Sequence, residues 1–202
     1  MSDRINTLSK KIVEKFDYYK LIEGDQEVYE FGLRELLWSI VHIINILIVG
    51  FLTNEVVYLL MIFSLYCPIR VYAGGYHAST RRRCYIGTIL LSVFFLNTFG
   101  FLHSINITFI IILTLLLCVV IFLISPLEVS NNPLTIGEKK KYKKTVLYVL
   151  IIESILVVLL NILGVNKIIY IFATSIIGTL LTMTLGILKI KLLRTSIKLS
   201  HK

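Results

Sequence analysis

The sequence predicts an all-α, polytopic integral membrane protein: six transmembrane helices behind an N-terminal amphipathic interfacial helix. Three observations predict it. Of the 202 residues, 56% are hydrophobic and only 16% charged, with a mean hydropathy of +0.84, where soluble domains carry about 25% charge. Six apolar runs recur along the chain, and a run of ~20 residues crosses the hydrocarbon core of a bilayer. The basic residues are confined to alternate connections between those runs, the pattern that sets membrane topology. The length suits one domain, a single membrane unit over 1–202. Three cysteines cannot staple a secreted scaffold. The net charge of +9 is interrupted by apolar runs throughout, so nucleic acid is not an expected partner.

Residues 1–35 read as a cytoplasmic amphipathic segment and not as a signal peptide, because they are charged throughout and have no apolar centre. Ile5, Leu8, Ile12, Phe16 and Tyr19 recur at helical spacing, with Lys10, Lys11, Lys15 and Lys20 largely off that stripe. Such a helix lies on an anionic leaflet; packing on the protein's own cytoplasmic loops is the alternative.

The spans fall at about 36–52, 56–69, 86–102, 105–124, 146–165 and 168–188. The second is the shortest, ending near Pro68 or reaching obliquely towards Tyr72. The cytoplasmic loops are 70–85 and 125–145. Segments 1–35, 70–85, 125–145 and 189–202 hold six, four, five and five Lys/Arg, while Lys167 is the one basic residue of the opposite side. The positive-inside rule then puts both termini in the cytoplasm. The run Lys139–Lys144 is a topology signal and lipid-headgroup anchor. Ser39, His42, Asn45, Asn97 and Asn161 read as interhelical hydrogen-bonding groups. Gly178, Thr182 and Gly186 form a small-residue ridge, suited to close packing within a subunit or across a homodimer.

The loop Arg70-Val71-Tyr72-Ala73-Gly74-Gly75-Tyr76-His77-Ala78-Ser79-Thr80-Arg81-Arg82-Arg83-Cys84 is where chemistry is expected. A cysteine attacks as the thiolate, which a nearby imidazole, cations or a helix N-terminus favours. His77, Arg81–Arg83 and an N-cap at Ser79 or Thr80 supply all three, with Cys84 then in the first turn. On one straight helix, seven residues would leave His77 and Cys84 ~10 Å apart, whereas proton transfer needs about 3 Å. A bend between them is therefore required, and Gly74-Gly75 and the cap make room for one. An interfacial histidine and a small apolar cysteine are the plain alternative. No metal and no cofactor are expected: His-x6-Cys is not a ligand spacing, and a zinc set of four is hard to assemble. Cys67 and Cys118 read as ordinary buried cysteines.

Arg70, Gly74-Gly75, His77 and Cys84, followed by Pro126-x-Glu128-x2-Asn131-x-Pro133-Leu134, resemble the accessory gene regulator protein B family of membrane cysteine endopeptidases, over almost the whole chain. The resemblance implies a small pro-peptide substrate with an amphipathic leader, a short core and an acidic tail. It implies Cys84 as nucleophile and His77 as base, then acid. The tail leaves, and the core closes into a macrocyclic thiolactone or lactone quorum-sensing signal. Arg70 would pair with the tail or an internal carboxylate, and Gly75 would permit the turn. Arg81, Arg82 and Arg83 would attract the tail or anchor the loop. Glu128 and Asn131 are candidate groups to orient the histidine. Glu153, a carboxylate within a span, is a functional candidate or a partner of Arg70. A homodimer follows from the family and the ridge. A small transporter, which lacks its expected internal repeat here, and a non-catalytic membrane scaffold are the competing functions.

Overall fold

The computed structural model describes residues 2–76, 78, 80–128 and 134–200. They form seven helices: α1 Ser2–Tyr18, α2 Gln26–Thr53, α3 Val56–Ala73, α4 Arg81–Leu102, α5 Ile107–Ile124, α6 Ile136–Ile162 and α7 Asn166–Ser200. Helices α2 to α7 are each long and apolar enough to span a bilayer. The chain is thus a multi-pass, all-helical membrane protein with one further helix ahead of the spans.

The helices outrun the apolar runs because caps, not hydropathy, decide where a helix begins. Asp25 accepts from Glu27 N to start α2. Thr80 does the same for α4, and Thr135 with Glu138 forms a capping box for α6. The basic residues expected in loops are consequently helical: Arg81–Arg83 open α4 and Lys139–Lys144 lie in the first turns of α6. Helices α3, α4 and α6 thus take up residues 70–73, 81–85 and 136–145 of the expected loops 70–85 and 125–145. Pro68 does not end α3, which runs on to Ala73.

Helix α7 is the centre. Its apolar stretch is 61% buried, against 22–33% for the other five spans, and Ile169–Ile176 is buried on every side, as a helix that is apolar all round must be. Leu59 and Ile62 of α3, Phe95 of α4, Ile110 of α5 and Val157 of α6 pack into one cluster with Ile169, Ile171 and Phe172. A second cluster joins Ile69, Ile121, Val146, Ile176 and Met183. Outward faces are apolar too: Ile40, Ile44 and Ile48 on α2, Leu116 and Leu123 on α5, Ile152 and Ile155 on α6 are exposed. In water such faces would be aggregation sites; against lipid they are the expected surface.

Two expectations need correction and one open choice is resolved. Helix α1 packs on α2 through Ile5, Ser9 and Val13, all buried, while Leu8, Phe16 and Tyr19 stay exposed. The buried edge is therefore rotated from the apolar stripe, which leaves apolar side chains outward. The small-residue ridge of α7 is filled from within the chain: a Cβ on Gly178 would stand 2.1 Å from the Phe95 ring, and one on Gly186 2.7 Å from Gly75 C. The ridge thus serves close packing within the subunit, one of the two uses it suits. Ser39 and Asn97 bond carbonyls of their own helices, Glu35 O and Val93 O, because in a span the nearest acceptor is the i−4 carbonyl. Asn161 is exposed, and Asn45 is buried with Nδ2 unpartnered.

Candidate active site

One end of the bundle gathers nearly all the basic residues. There the chain leaves α3 through Gly74 (φ +79°) and Gly75 (φ +137°), backbone shapes that side chains resist. Close approach also demands glycine. A Cβ on Gly74 would lie 2.4 Å from Leu127 O, and one on Gly75 3.0 Å from Thr182 O. Leu127 N donates to Ala73 O at 2.8 Å, and Tyr76 N donates to Thr182 O of α7 at 2.8 Å. The Arg70 guanidinium donates to the Tyr76 carbonyl. These contacts strap residues 74–76 across the central helix.

His77 and Asn131 lie outside the described residues. Their flanks are nonetheless informative. Thr80 is extended and its hydroxyl accepts from Arg83 N at 3.3 Å, so α4 begins after position 77. Cys84 N donates to Thr80 O at 3.0 Å, which puts Cys84 in the first turn of α4, where the helix dipole favours an anion. The thiol is exposed.

A different histidine meets it. Cys84 Sγ lies 3.7 Å from Nε2 of His42, on α2. The other ring nitrogen, Nδ1, is 3.1 Å from Thr88 Oγ1, and the Thr88 hydroxyl donates to Cys84 O at 3.2 Å. Sequence reasoning took His42 for an interhelical hydrogen-bonding group. It does bridge two helices, and its partner is the proposed nucleophile. Glu35, Trp38 and His42 on α2 and Arg81, Cys84 and Thr88 on α4 share one spacing, which has meaning only once the two helices are known to face each other.

The remaining predicted site residues divide. Arg81 forms a forked pair with Glu35, with Nη1 3.0 Å from Oε2, and its guanidinium lies 5.9 Å from the centre of the Trp38 ring. It holds α4 to α2. Arg82 and Arg83 are exposed. Arg70 turns to the Tyr76 carbonyl, and no ion pair with Glu153 is found among the described residues. Glu153 is buried on α6 with Oε2 unpartnered. Glu128 pairs with Lys139 at 2.5 Å, so its carboxylate is engaged by a lysine. Cys118 is buried as expected, whereas Cys67 is exposed on the outward side of α3.

A profile of the family described as Accessory gene regulator B matches residues 5–188. The chain belongs to this family. Among relatives, an AgrB-like protein 2 of Clostridium perfringens strain 13 is 27% identical over 171 residues, covering 81% of this chain and 80% of its own. An AgrB-like protein of Clostridium perfringens strain SM101 is 26% identical over 147 residues, 69% of each. No solved structure matches. Membership in Accessory gene regulator B ties the chain to quorum-sensing peptide processing at a membrane.

Proposed function

We propose that this protein is a membrane cysteine endopeptidase of quorum sensing, with Cys84 as nucleophile. The observation that carries the reading is the exposed Cys84 thiol, in the first turn of α4, with an imidazole nitrogen 3.7 Å away. The imidazole of His42, the N-terminus of α4 and the arginines Arg81–Arg83 all stand beside it. The substrate is a small pro-peptide with an amphipathic leader, a short core and an acidic tail. The cytoplasm is the side that the excess of Lys and Arg selects for the site and both termini. Exposed Arg82 and Arg83 attract the tail, and Arg70 holds the carbonyl that precedes His77.

The thiolate attacks the carbonyl joining core to tail. The C–N bond breaks, the tail leaves as an amine, and the leader and core remain as a thioester on Cys84. His77 is the proton carrier that the family resemblance implies. A core cysteine then takes the acyl group and closes a thiolactone; a core serine would give a lactone. Thioester exchange is near balance, so proximity drives ring closure. Exclusion of water protects the acyl-enzyme. Assembly as a homodimer rests on the family alone.

The test uses the purified chain in liposomes with a pro-peptide. Mass spectrometry should find the leader-core fragment as a thioester on Cys84, with free tail. Cys84→Ala should lose both. Tail release that persists in Cys84→Ala would sink the proposal.

A further inference from the structure

We propose that His42 is a catalytic residue, the base that takes the Cys84 thiol proton, and that Thr88 is the positioning residue that fixes its tautomer. The inference rests on Cys84 being the nucleophile and adds a second imidazole to that site. The tautomer we assign follows from the hydrogen-bond chain. A hydroxyl has one proton to give, and that of Thr88 goes to Cys84 O at 3.2 Å. With that bond made, Thr88 Oγ1 is left as an acceptor towards His42, 3.1 Å away, which favours the tautomer with the proton on Nδ1. In a neutral imidazole the other nitrogen is then the acceptor. That nitrogen is Nε2, facing Sγ at 3.7 Å. In that tautomer the thiol has an acceptor nitrogen within reach of a sulfur hydrogen bond, which a catalytic base must provide.

The surroundings hold this arrangement in register. Trp38 sits one turn away on α2, its ring 6.4 Å from that of His42. Arg81 lies over Trp38 and is paired with Glu35. Two rigid helices carry every group, so no loop movement is needed to bring base and thiol together.

The protons balance. Sγ–H gives its proton to His42 Nε2, leaving thiolate beside imidazolium. The thiolate forms the C–S bond, the C–N bond breaks, and the departing amine takes a proton from protonated His77. In the second step the core thiol gives its proton to His77 and attacks the thioester. Cys84 leaves as thiolate and recovers its proton from His42. Both histidines end as they began. The role of His77 narrows to the leaving amine and the incoming thiol.

The experiment uses the full chain in liposomes, with two readouts: the rate at which iodoacetamide alkylates Cys84, resolved by peptide mass spectrometry, and the rate of thioester formation from a pro-peptide. Alkylation reports thiolate without substrate. His42→Gln should slow both by ~100-fold, the scale of a lost general base. Thr88→Val should slow both less, and Thr88→Ser, which keeps the hydroxyl, should restore them. Wild-type rates of both in His42→Gln would overturn the role of His42 while leaving Cys84 as nucleophile. Processing by Cys84→Ala would instead overturn the endopeptidase reading itself. Should His42→Gln lose helical content, the Thr88 pair decides alone: equal rates in Thr88→Val and Thr88→Ser overturn the proposal.

Discussion

The α2–α4 seam and the strap over α7 meet at one end of the bundle but are built from opposite materials. The seam is made of side chains: Glu35 with Arg81, Trp38 beneath Arg81, and His42 with Cys84 and Thr88. It lies at the periphery, and its cysteine is exposed. The strap is made of backbone. Gly74 and Gly75 press on Leu127 O and Thr182 O, and main-chain hydrogen bonds fix Ala73 and Tyr76. The difference teaches where each tolerates change. Side-chain contacts on a wet edge can be tuned by degrees. Main-chain contact at van der Waals distance yields only if the backbone shifts.

Four substitutions sharpen or break that contrast. Cys84→Ala should abolish thioester formation while leaving helical content by circular dichroism intact, because the thiol touches the core of neither cluster. Gly75→Val should come next: its Cβ would stand 3.0 Å from Thr182 O at φ +137°, and an ångström of displacement at a reacting group costs on the order of 10²-fold. A steady-state cleavage assay measures it, and near-normal turnover would show that the strap does not position the site. Arg70→Gln removes a charge-assisted bond to the Tyr76 carbonyl, of the class that contributes ~1.5–3 kcal/mol. Cleavage should fall by roughly tenfold to a hundredfold. The smallest effect belongs to Glu35→Gln. The Glu35–Arg81 pair is more than one third exposed on each side, where such pairs contribute ~0.2–1 kcal/mol, so cleavage should change by only a few-fold and less still in high salt.

The six spans and the preceding helix were legible because lipid imposes a coarse rule, apolar length, that a single sequence displays openly. Helix starts were less legible. Asp25 and Thr135 cap helices well ahead of the apolar runs 36–52 and 146–165, and hydropathy does not register a cap. Thr80 was readable, since it stands directly before the arginines of α4. The site was legible where local order sufficed, at Gly74-Gly75 and Cys84. It was not legible at His42, which is 42 positions from its thiol. Their meeting depends on the rotation of two helices about their own axes, and α2 shows apolar side chains on most of its surface, so periodicity gives that rotation little purchase. Glu128 was proposed on chemical type alone and Glu153 on its place within a span, and neither reveals that Lys139 engages the first or that the second is left without a partner for Oε2.

The central place of α7 has a consequence for the order of assembly. Helices α3 to α6 precede it in the chain, yet each packs against it. During synthesis they enter the membrane before the helix that organises them. Their unmatched faces, Leu59, Ile62, Phe95 and Ile110 among them, are apolar and can wait in lipid at little cost. The Gly74-Gly75 strap cannot take its final shape until Thr182 and Gly186 arrive beneath it. A partly made chain therefore carries the thiol but not the finished loop beside it, and competence to process peptide is conferred late in the protein's own synthesis.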